Sequence, residues 1–246
     1  MKSFVEYITD ELTTILAEAG GAEAGKLELL STSLNVARSY AKKMFEKGGQ
    51  DFEKQMPNFD KNYTIAQRSA KLGFAKRKEM PVIDNKDIKL LQGRLKKGMI
   101  DIAAPFADNE VPNDPFPQGL DTALGKKWLE GGLRDGVKDD DIVNVKITKL
   151  PVGKLLPIQR QIYFDKSIRN VAQHGAEGTK SFSASKSNFY VISKDNRIID
   201  GHHRYLSAVL VDPKITVTCL EIDLPINELL PMTLAYTDAI GNMRNN

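Results

Sequence analysis

Apolar residues recur every three to four positions over the first hundred residues of the chain, which is the spacing of a helix with one buried face. This spacing predicts helices over residues 4–16, 27–44, 64–78 and 84–97. Glycine pairs at 20–21 and 48–49, and Pro57, interrupt the pattern. The first hundred residues are therefore predicted to form a helical bundle or arm.

From residue 142 onward the pattern changes to short apolar runs typical of strands, separated by helical stretches. The pattern predicts strands over residues 142–147, 188–193, 197–199 and 214–222. It predicts helices over residues 166–173, 202–211 and 227–240. Together these elements predict an α+β fold, in which an N-terminal helical region is followed by a small domain with a mixed sheet.

A proline-rich stretch separates the two patterns. Residues 103–118 hold four of the chain's eleven prolines, which predicts an extended connector, and residues 120–133 are predicted to form a short helix. The sequence thus divides into a helical region over 1–100, a connector over 101–141 and a mixed α/β domain over 142–246.

Composition favours a chain that does not enter a membrane. No apolar run approaches the roughly 20 residues that a spanning helix needs. Glu6 falls where a signal peptide would be apolar, so a cytoplasmic location is expected. The single cysteine, Cys219, lies in an alternating run and is interpreted as a strand residue.

Charge is unevenly distributed along the chain, although the net charge is only +3. Residues 61–97 contain eleven basic residues against three acids, whereas residues 101–141 are acidic. Nucleic-acid contacts and a solvated or protein-docking surface both remain open for this basic region. The residues that would contact nucleic acid are Lys71, Lys76, Arg77, Lys78, Arg94, Lys96 and Lys97.

The clearest candidate site is the run from Asp200 to Arg204, between a predicted strand and a predicted helix. Gly201 permits a tight turn, which places His202, His203 and Arg204 in the first helical turn. Free backbone N–H groups and the helix dipole favour an anion at that position, and arginine binds oxyanions through two hydrogen bonds. The run therefore predicts a phosphate site, with Arg204 and His203 as its main contacts.

Neighbouring residues have more than one interpretation. Asp200 is expected either to bind Mg²⁺ or to cap the helix, and His202 either to contact the ligand or to pack. Arg160 is a second candidate phosphate contact or a surface arginine. His174 precedes a glycine and is interpreted as the end of a short helix, followed by a connecting or ligand-covering loop over 175–187 with Lys180 and Lys186.

Residues 146–224 resemble the ParB/sulfiredoxin superfamily. The resemblance rests on a segment with leucines and a proline, residues 152–159, and on the strand, turn and helix around residues 198–205. His202 stands where sulfiredoxins carry their working cysteine, which argues against that activity. The run from Asp200 to Arg204 is most similar to the free amino acid kinases and to the ParB-like nucleases of phage-type genomes.

The resemblance implies an enzyme that binds a nucleoside di- or triphosphate, ATP, ADP or CTP, together with Mg²⁺. It implies catalytic roles for Asp200, His202 and His203, and phosphate contacts by Gly201, His203, Arg204, Arg160 and Gln159. The kinases have a carboxylate where this chain has Gln159, which cannot act as a general base. A phage-encoded chain would act in the host cytoplasm.

Three functions follow from these features. The leading hypothesis is a nucleotide-binding NTPase or kinase-like phosphotransferase that uses the turn around Gly201. The alternative is a ParB-like DNA-binding protein or nuclease that holds nucleic acid through residues 61–97. A structural or interaction protein with a relic site is the third, and a homo-oligomer is compatible with each.

Overall fold

The computed structural model describes residues 26–100, 141–185 and 187–242. Its helices are α1 (Leu34–Lys47), α2 (Phe52–Gln55), α3 (Phe59–Ala70), α4 (Asn85–Lys96), α5 (Phe164–Ala184), α6 (His202–Val211) and α7 (Ile226–Ala239). Its strands are β1 (Val145–Pro151), β2 (Leu156–Pro157), β3 (Tyr190–Ser193), β4 (Arg197–Asp200) and β5 (Thr216–Ile222). The predicted α+β fold, with helices first and a mixed sheet after them, is confirmed.

Two compact units divide the chain, and each combines residues from distant parts of the sequence. Within the described residues, unit 1 comprises 26–73, 151–185 and 202–217, and unit 2 comprises 74–100, 141–150, 187–201 and 218–242. Both units draw residues from each side of position 141. The predicted connector and its short helix, and the first predicted helix, lie outside the described residues.

An aromatic cluster forms much of the core of unit 1. Phe59 stacks on Tyr63 with ring centroids 5.7 Å apart, and Phe164 meets the Tyr63 ring edge-on at 5.5 Å. The Tyr63 hydroxyl donates a hydrogen bond to the Thr32 carbonyl at 2.5 Å. Because aromatic pairs add stabilisation to the area they bury, this cluster fixes α3 against the start of α5.

The first described residues of unit 1 pair with a segment far along the chain. Glu28 forms a β-bridge with Tyr163, and the Leu27 backbone N–H donates to the Asp165 carboxylate at 3.2 Å. Helix α1 therefore begins only at Leu34, where the Ser33 side chain accepts from the Val36 N–H. The predicted helical start at residue 27 is wrong, because these residues pair as extended backbone.

Helix α5 is longer than its sequence pattern predicts. A loop is predicted over residues 175–187, but α5 resumes after a kink at Gly175, where φ is 69° and ψ is 175°, and continues to Ala184. Gln50 donates to the Ala172 carbonyl at 2.6 Å, and Gln55 accepts from the Ala176 N–H at 2.8 Å. These two side chains satisfy the backbone groups that the kink exposes, so the chain continues as a helix.

The boundaries of other elements also differ from those that the sequence predicts. Helix α3 spans Phe59–Ala70 and not residues 64–78; three residues after its end, a Cβ on Gly73 would lie 2.9 Å from the Gln159 carbonyl oxygen. Strand β1 begins three residues later and ends four residues later than predicted, and β2 was not predicted as a strand. The predicted start of α4 is confirmed, because Asp84 caps the helix by accepting from the Lys86 and Asp87 N–H groups.

Unit 2 holds most of the sheet. Its strands lie in the order β1-β5-β3-β4, with β3 antiparallel to β4 and parallel to β5. Asn196, with φ at 60°, forms the turn of the predicted β3–β4 hairpin. In the same unit, Asn242 donates to the Asp87 carboxylate at 2.8 Å. This bond ties the end of the described chain to α4.

Candidate functional site

The strand, turn and helix predicted around Gly201 are present. Strand β4 ends at Asp200, Gly201 adopts φ of 111°, and α6 begins at His202. A φ of this value is readily adopted only by glycine, so Gly201 is required by the turn. Arg204 consequently lies in the first turn of α6, at the positive end of its dipole.

A cleft of about 190 Å³ lies beside Arg204 within unit 1. We call it the Arg204 cleft; its lining residues are Asn170, His174, Thr179, Phe182, Ser183, Arg204 and Ser207. Arg204 is the lining residue that carries a permanent positive charge, and Asn170 and His174 add side-chain N–H groups. Among these residues there is no carboxylate to repel an anion.

The hydroxyl groups of the cleft are fixed by backbone carbonyls. Ser207 donates to the Ser167 and His203 carbonyls, each at 3.0 Å, and Thr179 donates to the Gly175 carbonyl at 2.9 Å. These bonds hold the side of the cleft formed by α5 and α6. The cleft is therefore preformed, and its arginine, amide and imidazole donors could bind a phosphate without rebuilding the helices.

His174 is the functional candidate that the sequence analysis missed. It was interpreted as the end of a short helix, because a glycine follows it. The first helical part of α5 does end at His174, before the kink at Gly175, and His174 lines the Arg204 cleft with an exposed side chain. The sequence around His174 does not show that α5 resumes after Gly175. The side chains that bond the backbone at the kink, Gln50 and Gln55, lie more than a hundred residues earlier.

His202 is held in a structural position. Its Nε2 accepts hydrogen bonds from the backbone N–H groups of Ile158 and Gln159, both at 3.2 Å, and its side chain is buried. Burial, together with the neighbouring His203, lowers the pKa of His202 to about 3. An imidazole that stays neutral and has Nε2 occupied is a poor general acid or base near neutral pH, so these contacts disfavour its predicted catalytic role.

His203 turns toward the start of α5. Its Nε2 lies 3.4 Å from the Tyr163 backbone nitrogen, which donates to it, and the two rings are 5.9 Å apart. His203 is half-buried and is not among the residues that line the Arg204 cleft. Its predicted phosphate contact and catalytic role stay predictions, without support from the cleft.

Gln159 and Arg160 also lie outside the Arg204 cleft. Gln159 is buried, and its amide donates to the Gln161 carbonyl at 2.7 Å. This bond shapes the segment before α5. Arg160 is exposed. Phosphate contacts by these two residues stay predictions, and the buried position of Gln159 favours a structural role.

The residues of the Arg204 cleft do not fit a resident magnesium ion. Mg²⁺ prefers carboxylate and water oxygens, and the cleft is lined by amide, imidazole, guanidinium and hydroxyl groups. In the part of the chain that the structure describes, no three His, Cys, Asp or Glu side chains are grouped to hold a metal. Asp200 is half-buried at the end of β4, and its predicted metal role stays a prediction.

The basic residues predicted to contact nucleic acid are divided between the units. Lys71 belongs to unit 1, and the other six belong to unit 2. In unit 2, Lys76, Arg77 and Lys78 occupy a 3₁₀ turn and its start, whereas Arg94, Lys96 and Lys97 lie at the end of α4. Nucleic-acid binding by these residues stays a prediction. No helix in the described residues is long and apolar enough to cross a membrane.

Comparison with known proteins adds no relative. No family model, curated protein or solved structure matches the chain, so the likeness of residues 146–224 to the ParB/sulfiredoxin superfamily remains an expectation drawn from their motifs.

Proposed function

We propose that this chain binds the phosphate groups of a nucleotide in the Arg204 cleft. The observation that carries the proposal is the convergence of Arg204 and His174 on one preformed cleft between α5 and α6. A guanidinium and an imidazole each favour a phosphate oxyanion, and here they come from two helices packed together.

The size of the cleft indicates which part of the nucleotide enters it. Sites that bury a whole drug-sized ligand measure about 300–1,000 Å³. The Arg204 cleft, at about 190 Å³, accommodates one or two phosphates, and the base would lie outside it. Its aromatic lining residue is Phe182, which is half exposed and is positioned to contact a base.

Phosphate binding is tested by a readout at the cleft itself. In NMR titrations of the full chain with pyrophosphate, and then with ATP, ADP and CTP, the ring signals of His174 should shift with saturation. Arg204→Gln should weaken this response by about tenfold or more, the equivalent of one charge-assisted contact. Lys166→Gln, an exposed change outside the cleft, serves as the control. An unchanged His174 response in Arg204→Gln would refute the proposal.

Cleavage or transfer of the phosphate is the second part of the proposal, and it is supported by the resemblance of residues 198–205. Release of inorganic phosphate from ATP or CTP should be measured with Mg²⁺ in wild type and Arg204→Gln. Turnover that requires Arg204 would support a phosphotransferase or NTPase. Ligand binding without any turnover would limit the function to binding and remove the enzymatic part.

A further inference from the structure

A second and larger cleft lies in unit 1, at the C-terminal end of α6. It measures about 510 Å³, within the size range of sites for whole small molecules, and none of its lining residues belongs to the Arg204 cleft. Four lysines line it, and we call it the lysine cleft. They are Lys54, Lys61, Lys180 and Lys214.

The acids adjacent to these lysines in the sequence are engaged elsewhere. Glu53 and Asp60, each next to a cleft lysine, are held by Arg38 at 2.9 Å and 2.7 Å. Lys42 also binds Glu53, at 2.8 Å. Helices α2 and α3 therefore present carboxylates to α1 and lysines to the cleft, which separates the charges across these helices.

Two acids do line the lysine cleft, but each has a local partner. Glu177 pairs with Lys180 at 2.6 Å, and Asp212 accepts from the Lys214 backbone N–H at 2.8 Å. Among the described residues, no carboxylate forms an ion pair with Lys54, Lys61 or the Lys214 ammonium. The cleft thus has an excess of positive charge.

Hydrogen bonds between helices fix the walls of the lysine cleft. Gln55 binds the Ala176 N–H, and the buried Asn62 donates to the Leu210 and Val211 carbonyls at 3.0 Å and 3.1 Å. Asn58, the residue before α3, lines the cleft and makes no side-chain capping bond. Its side chain therefore does not bond the backbone N–H groups at the start of α3. A preformed, cationic cleft loses little entropy when it binds an anion.

We propose that the lysine cleft binds a small oligophosphate, a ligand with two or more linked phosphate groups. Lysine ammonium groups bind phosphate as point charges, and several spaced around one concavity suit several phosphates. No aromatic side chain lines the cleft, so it offers no surface on which a base could stack. The phosphates, and not the nucleoside, are the recognised part of the ligand.

The test uses Arg204→Gln as the background, which weakens binding in the other cleft about tenfold or more and so separates this proposal from the proposed function. Calorimetry of the full-length variant with sodium tripolyphosphate should show one binding site, and ATP should bind within about threefold of it because the base adds no contact. Replacing Lys54, Lys61 and Lys214 together by glutamine should weaken binding about tenfold or more.

Two further variants keep the result interpretable. Glu177→Gln, at an exposed position, should strengthen tripolyphosphate binding because it removes a negative charge and releases Lys180. Lys166→Gln should leave binding unchanged. The proposal is overturned if the triple variant, still folded by circular dichroism, binds as well as its parent. It is also overturned if Glu177→Gln does not strengthen tripolyphosphate binding. A third contrary result is that duplex DNA occupies the cleft at a lower concentration of phosphate groups than tripolyphosphate does.

Discussion

The side-chain oxygen of Gln55 accepts a hydrogen bond from the backbone N–H of Ala176 at 2.8 Å. This bond caps the second half of α5, just as Gln50 caps its first half at the Ala172 carbonyl. The kink at Gly175 is therefore supported on both sides. It allows one long helix to line the Arg204 cleft and the lysine cleft at the same time.

Gly175→Ala should destabilise the protein by about 2–3 kcal/mol, because φ of 69° with ψ of 175° lies in a region almost restricted to glycine. The new Cβ would also lie 3.1 Å from the Gln50 side-chain oxygen. Gly49→Ala is the matched control, since Gly49 has φ of 67° but nothing within 4 Å of its added Cβ. Chemical denaturation should give Gly49→Ala the smaller loss. An equal loss would contradict a steric clash between the added Cβ and the side chains of Gln50 and Gln55.

Asn62→Asp should destabilise unit 1 more than Asn62→Ala does. Alanine removes two hydrogen bonds to the end of α6, at a cost of about 1–3 kcal/mol. Aspartate would place a buried carboxylate against the Leu210 and Val211 carbonyls and would cost about 3 kcal/mol or more. Urea denaturation at neutral pH should rank the two variants in this order. Near pH 4 the aspartate gains a proton that it can donate, so the gap should narrow.

The buried His202 should make stability depend on pH. Its pKa is lowered from 6.5 to about 3 by burial and by His203, so folding favours the neutral imidazole. The stabilisation is complete above about pH 6.5, where the unfolded histidine is also neutral, and is lost progressively as the pH falls toward 3. Denaturation between pH 4.5 and 8 should show this decline.

His202→Gln isolates the histidine contribution from that of the carboxylates. Glutamine keeps a side-chain acceptor for the Ile158 and Gln159 N–H groups but does not titrate. Its stability should therefore fall less steeply between pH 6.5 and 4.5 than that of the wild type. Parallel curves for wild type and His202→Gln would refute this explanation.

Gly93→Ala should stabilise unit 2 by about 0.5–1 kcal/mol, because Gly93 lies inside α4 and alanine is the better helix former. Nothing lies within 4 Å of the added Cβ. Gly153→Ala in unit 1 is the contrasting change, since its Cβ would lie 2.9 Å from the Pro213 carbonyl oxygen. Thermal unfolding should raise the midpoint for Gly93→Ala and lower it for Gly153→Ala.

Local patterns predicted the elements whose boundaries are set locally. The turn at Gly201, the bounds of α6 and the capped start at Asp84 each depend on residues within a few positions. The fold class followed from the change of apolar period near residue 142.

The misplaced elements depend on distant partners. The continuation of α5 depends on Gln50 and Gln55, and the extended start near Leu27 depends on pairing with Tyr163. The contacts of Gln50 and Gln55 also decide which residues of α5 line the Arg204 cleft. Arg204 was predicted from its position after Gly201, whereas His174 could be recognised only once α5 was known to pass through its kink.

The discontinuous make-up of unit 1 affects its synthesis. Its first described strand-like residues pair with the start of α5, and its last residues follow α6, so no early fragment contains a complete unit. At about 5–20 residues per second, a ribosome needs roughly 5–20 s to pass from Phe59 to Phe164. During that interval Phe59 and Tyr63 of α3 lack Phe164 as a partner, so part of their apolar surface stays exposed on the nascent chain.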